Sequence, residues 1–141
     1  MILGQAQTTT FKLNLLKGLE NFFTGSPYVY KIALYNAQAE INSETTAYTT
    51  NNEITGSGYT AGGEVLVPTV GSDTSNNTAY VTFNNVTWSP ANFTAAGALI
   101  YNSTTNASVA VLNFGGEKTA SNTFTITFPT ATSTTAVLRI N

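Results

Sequence analysis

The chain contains no histidine and no cysteine, and Asp73 is its only aspartate. Imidazole is the side chain whose ordinary pKa lies nearest neutrality, and thiolate is the readiest nucleophile and soft-metal ligand. Without either, the commonest catalytic and zinc constellations cannot be assembled. A disulfide framework is excluded too, although missing cysteine fits any compartment. Charge is equally scarce: 9% of residues are Asp, Glu, Lys or Arg, where about a quarter is usual. The net charge is −2 and the cations Lys12, Lys17, Lys31, Lys118 and Arg139 are scattered. No basic field exists to drive nucleic-acid binding by counterion release. No apolar run approaches the length of a transmembrane helix, so no membrane partner is expected. The opening Met1-Ile2-Leu3-Gly4-Gln5 lacks the basic region and long apolar stretch of a secretory signal, which makes the cytoplasm of the producing cell the expected place of synthesis.

What is present is a neutral, hydroxyl-rich chain. Apolar residues make up 42% of its 141 positions, so the solvent face must be built from Thr, Ser, Asn and Gln. At 14.9 kDa, size scaling gives a folded surface of roughly 7,000 Å² and burial of about two-thirds of the unfolded chain's area. One domain can therefore stand without disulfides or metal.

Residues 1–10 read as a small, polar N-terminal arm. A helix is expected over 11–24, because Phe11, Leu15, Leu19 and Phe22/Phe23 recur at three- and four-residue spacing. Thr10 is the expected N-cap and Gly25-Ser26-Pro27 the stop. Gly18 inside that helix costs about 1 kcal/mol relative to alanine, so packing must hold it. The spacing reads first as a helix covering one end of the core, with Phe11 and Leu15 as the alternative of an oligomer contact.

From 28 onward the pattern is β, with all of 28–141 assigned to one sandwich. Strands are expected at 28–35, 64–70, 79–83, 86–88, 93–101, 108–114, 123–128 and 135–140. In the first, Tyr28, Tyr30, Ile32 and Leu34 should face the core and Val29, Lys31, Ala33 and Tyr35 the other way. Phe124, Ile126 and Phe128 should point inward from alternating threonines. About eight short antiparallel strands separated by turns are the signature of an all-β, jelly-roll-like sandwich. The 36–63 stretch lacks periodicity and is long for a loop, so short helix or packed loop is expected there, with Ser43 capping one turn through Tyr48.

Candidate chemistry is thin. Gly115-Gly116-Glu117-Lys118-Thr119 lacks the glycine a P-loop needs before its lysine, and strand follows where helix is required, so a hairpin turn is expected. The 56–63 glycine cluster lacks the spacing of a nucleophile elbow, and no histidine exists to activate Ser57. Glu40, Glu44, Glu53 and Glu64 leave a carboxylate-pair glycosidase formally open, with solvating charge the ordinary explanation. No calcium-loop spacing occurs, so neither metal nor cofactor is expected. Five N-x-S/T sequons begin at Asn76, Asn85, Asn92, Asn102 and Asn106, and about four would arise by chance in such a composition. Most aromatics alternate within strands and read as core, including Trp88. Tyr48, Tyr59 and Tyr101 are candidate interface residues, because tyrosine combines area with a polar tip.

Several segments carry a resemblance: Tyr30-Lys-Ile-Ala-Leu-Tyr35, the 45–63 run ending Gly-Ser-Gly-Tyr-Thr-Ala-Gly-Gly, Thr87-Trp88-Ser89, Ala96-Gly-Ala-Leu-Ile-Tyr-Asn102 and Val109-Ala-Val-Leu-Asn-Phe-Gly-Gly-Glu-Lys118. Together, over 28–140, they resemble a family of small tailed-bacteriophage virion proteins similar to jelly-roll cement or decoration proteins. The resemblance implies a non-enzymatic protein of the outer capsid surface. Its implied partners are the major capsid protein and further copies of itself, as dimer or trimer. Similar proteins also serve as head fibres or tail parts, so the alternative is a host-adhesion or carbohydrate-binding module. The resemblance supplies no catalytic residue. Interfaces of so uncharged a chain should rest on apolar burial and neutral hydrogen bonds, drawn from the arm, the 36–63 excursion and the end turns.

Overall fold

The computed structural model describes residues 3–141; the first two positions of the expected arm lie outside the described residues. The rest of that arm is not free. Ala6–Gln7 forms a short strand, β1, and Thr8 donates its N–H to Val109 O at 2.9 Å. Helix α1 then spans Thr9–Lys17, two residues earlier and much shorter than the spacing predicts. Thr8, not Thr10, is the N-cap: its Oγ1 accepts from Phe11 N–H at 3.1 Å, satisfying one of the helix's orphan donors. Gly18 lies not inside the helix but at its end, with φ of 71°, a left-handed conformation that glycine adopts without a Cβ penalty. The apolar spacing beyond it belongs to a loop, in which Phe22 turns in and Phe23 out.

The remaining strands are β2 (Tyr30–Tyr35), β3 (Glu64–Leu66), β4 (Pro68–Asp73), β5 (Thr78–Phe83), β6 (Val86–Trp88), β7 (Phe93–Asn102), β8 (Ala107–Ala120), β9 (Phe124–Ile126) and β10 (Leu138–Ile140). Among the described residues the expected eight become ten, because β1 is added and the 64–70 strand divides at Val67-Pro68. Proline lacks the N–H that a ladder needs, and there the chain leaves one sheet for another.

Every strand pairing is antiparallel. A five-stranded sheet runs β1-β8-β7-β2-β3, a three-stranded one β10-β5-β4, and a two-stranded one β6-β9. The main core lies between the first sheet and the two smaller ones: Tyr30, Ile32, Leu34 and Ile100 meet Phe83, Trp88, Phe124, Ile126 and Leu138, with Phe11 and Phe22 closing one end. This is the antiparallel β-sandwich that the strand and turn pattern predicts, and its surface of 7335 Å² agrees with the size scaling.

The large sheet has a second covered face. Ala33, Tyr35, Leu99, Tyr101 and Val111 pack under Ala39 and Ile41 of the 36–63 excursion. Ala33 and Tyr35, expected to point away from the core, are therefore fully buried, because the central strands are covered on both sides and alternation does not mark a wet face. The excursion contains no helix. Ser43 caps nothing; Asn42 instead organises a turn, its Oδ1 accepting from Glu44 N–H and its N–H donating to Thr45 Oγ1, both at 2.8 Å. Single bridges of Leu3 to Ile41, Tyr35 to Glu53, Ala47 to Ala107 and Ser57 to Asn92 fasten the excursion down.

Gly115-Gly116 is not a hairpin turn either. β8 continues through it, and Ala95 faces Lys118 while Gly97 faces Asn113, so Ala96 alone opposes the four residues between. The glycines, at φ of 77° and 146°, absorb this bulge.

Candidate functional site

The three tyrosines singled out as interface candidates come together, Tyr101 buried and Tyr48 and Tyr59 half-buried. Glu53 is their hub. Tyr48 donates its hydroxyl to Glu53 Oε2 at 2.5 Å and Tyr59 to Oε1 at 2.6 Å, and the Gly62 N–H adds a third bond to Oε1 at 2.7 Å. Tyr59 also accepts from Leu34 N–H at 2.9 Å, which ties the excursion to β2. Tyr101 donates to Gly62 O and Tyr35 to Thr49 O, each at 2.6 Å. The Tyr48 and Tyr101 rings stack at 4.7 Å. Burial first, and then the Glu53 charge, push the Tyr101 hydroxyl up to about 12. Tyr35 is held above the ordinary tyrosine value by burial and then the Glu53 charge, and Tyr48 and Tyr59 by burial and then their hydrogen bonds to Glu53.

This geometry corrects the interface assignment at Tyr101, which is 4% exposed and has no side-chain surface to offer a partner. Tyr48 and Tyr59 are half-buried with their hydroxyls spent on Glu53. Phe11 is 2% exposed and belongs to the core, while Leu15 packs partly against that core and walls a surface groove. Trp88 is core as expected, its indole N–H buried without an acceptor. Asn102, one of the sequon residues, is fully buried, its Oδ1 accepting from Thr104 and Thr105 N–H in the β7–β8 turn.

Of the four glutamates weighed for hydrolysis, Glu53 has its oxygens taken by two hydroxyls and an amide, a structural use of a carboxylate. Among the described residues, no group of three or more His, Cys, Asp or Glu side chains is placed to hold a metal ion. No helix among them is long and apolar enough to cross a membrane.

Two of the surface grooves have walls rich in Phe, Leu, Val and Ile. The larger, of 490 Å³, runs between the outer edge of β8 at Leu112–Phe114 and the 124–129 segment, with Lys118 at its side. The smaller, of 290 Å³, lies between α1 with its following loop and the three-stranded sheet, walled by Leu15, Phe22, Phe23, Val70, Leu138 and Ile140. Glu20 lines it. That carboxylate is 8% exposed; Oε2 accepts from Tyr30 OH at 2.9 Å and Oε1 has no hydrogen-bond partner. Burial holds its carboxyl above the usual range, partly offset by Tyr30 and by the Asn102 side chain, whose Nδ2 stops short of a hydrogen bond. Sequence reasoning passed over Glu20. The signal was its setting, an acid between Leu19 and Phe22-Phe23 in a chain that places few charges anywhere.

No protein-family model, no curated protein and no solved structure matches this chain.

Proposed function

We propose that this chain is a non-enzymatic structural protein of a bacteriophage virion, a cement or decoration protein that stabilises contacts between major capsid subunits at the outer capsid surface. The observation that carries the reading is the ordered series of segments over 28–140 described above. Two features support it. The residue inventory removes the usual catalytic toolkit, and the acid best placed among polar groups, Glu53, is occupied in holding the 36–63 excursion. The exposed surface also keeps large apolar side chains, among them Leu16, Phe23, Val67 and Ile140, as a protein that spends its life in contact with others can.

The adhesion alternative requires an aromatic platform for sugar stacking. Trp88 and Tyr101 are buried and Tyr48 and Tyr59 are turned onto Glu53, so no aromatic in that set favours it. The test is to assemble capsids with and without the protein and compare their resistance to heat and to internal pressure. Greater resistance with the protein retained on purified particles is expected; equal resistance with no retention overturns the reading.

A further inference from the structure

The β6–β9 ribbon is the smallest of the three sheets, with three residues on each strand. A two-stranded ribbon is marginal by itself, and a third strand is what ordinarily secures one. β9 pairs with β6 alone, so its other edge is open. The side chains show which backbone groups face that edge. The Thr87 and Thr125 hydroxyls lie 3.0 Å apart, the closeness of a cross-strand pair that shares no backbone hydrogen bonds. The Thr125 N–H and C=O therefore point away from β6, and those of Thr127, two residues on, point the same way. Phe128, of the other parity, turns its N–H to Asn85 Oδ1, just before β6, at 3.0 Å. Thr125 and Thr127 both line the 490 Å³ groove, whose walls include Leu112, Phe114, Phe128 and Val137. Among the described residues that line it, exposed Lys118 is the one charged side chain.

We propose that this groove takes an extended segment of a partner protein as an added strand on β9, with apolar side chains alternating into the groove and an acidic one beside Lys118. The inference deepens the virion reading and rests on it only for the partner's identity, a major capsid subunit. Three observations define the occupant. Outward N–H and C=O groups on alternate residues of a strand edge are matched by another extended backbone. A strand laid there sends every second side chain toward the groove, and the groove is apolar, so the segment is apolar at alternate positions. The lone cation has no acid beside it on the groove lining, so an acidic group on the segment complements it and a basic one is repelled. The same charge disfavours a second copy pairing through its own β9, which would bring another Lys118 and no carboxylate from its groove.

NMR titration of the isotope-labelled full chain with a synthetic peptide of about ten residues, the length of a strand, tests this. The probe alternates valine and threonine and carries glutamate at both ends. Saturable binding with a Kd under about 1 mM is expected, with amide shifts and slowed hydrogen exchange centred on Thr125 and Thr127. N-methylating all the threonine nitrogens of the peptide, or all its valine nitrogens, blocks one of its edges at a time. One of the two should bind at least about tenfold more weakly, for the loss of two or more hydrogen bonds. A peptide with lysine at both ends should bind about two- to fivefold more weakly than the glutamate form, the scale of one exposed ion pair, and Lys118→Glu should reverse that order. Lys118 is exposed, so circular dichroism of this variant should match wild type. The inference is overturned by no binding, by shifts centred away from the groove, by both methylated peptides binding like the parent, or by an end-charge preference that Lys118→Glu leaves unchanged. A free chain that self-associates with Thr125 and Thr127 already protected overturns it too. Peptide binding of this kind by a protein that leaves capsids unaffected removes the virion reading alone. Capsids stabilised by a protein that binds no such peptide remove this inference alone.

Discussion

At the scale of single residues, one oxygen of Tyr59 joins three parts of the protein. It donates to Glu53 and accepts from the Leu34 N–H, so Tyr59→Phe leaves a backbone donor and a carboxylate oxygen each short of a partner. Stranding half-buried polar groups costs about 1–3 kcal/mol, and chemical denaturation should record a loss of that size. Glu20 makes a separate claim about pH. Its carboxyl is raised in the folded state, so the native protein binds that proton more tightly than the unfolded chain does. The contribution is unfavourable above the raised value, fades as pH falls through it, and is gone below 4.5, the ordinary value. Thermal melts should therefore show the slope of Tm against pH above 4.5 shift in Glu20→Gln, losing the component that falls with rising pH.

Elements depend on how closely backbones approach. Gly63 has φ of 77°, and a Cβ there would sit 1.8 Å from Ile32 O, so the end of the excursion is pressed against β2. Gly115 has the same φ but nothing within 4 Å of its Cβ position. Gly115→Ala should cost about 1–2 kcal/mol, the penalty of a left-handed backbone alone. Gly63→Ala should cost clearly more, or prevent folding, since the opposing atom is backbone that cannot step aside. Comparing their denaturation midpoints checks both. The same scale explains which elements were legible beforehand. Strands with clean alternation, such as Phe124–Ile126, were found in place and facing as read. α1 was misjudged because apolar spacing at 19–23 imitates a helical face, whereas the glycine that ends the helix depends on backbone φ. The Gly115-Gly116 bulge was misread as a turn because glycine pairs permit either; only the pairing of Lys118 with Ala95 distinguishes them.

For the whole molecule, scarcity of charge predicts how the protein leaves its partners. Interfaces built from leucine, valine and phenylalanine with neutral hydroxyls should be nearly insensitive to ionic strength. Release of the protein from capsids should change less than about tenfold from roughly 0.05 to 1 M NaCl, a span that shortens the Debye length to about 3 Å. A steeper fall would mean that charge steers the assembly after all.

Composition and alternation alone determined the class of this protein: a charge-poor, antiparallel β-sandwich with an N-terminal helix and no imidazole or thiol chemistry. Those properties are local, since a side chain's type and its parity along a strand do not depend on distant residues. Where the surfaces lie was decided by tertiary structure. The 36–63 segment carries little periodicity of its own, and its fold over the far side of the large sheet turned Tyr101 from candidate contact into core and made Glu53 a tether. Likewise, Leu15 and Leu16 are adjacent and chemically identical, and only the packing of α1 against β8, with the groove between it and the β10-β5-β4 sheet, puts one against a groove wall and the other in solvent. Burial is a property of what arrives from elsewhere in the chain, and no local pattern records that arrival.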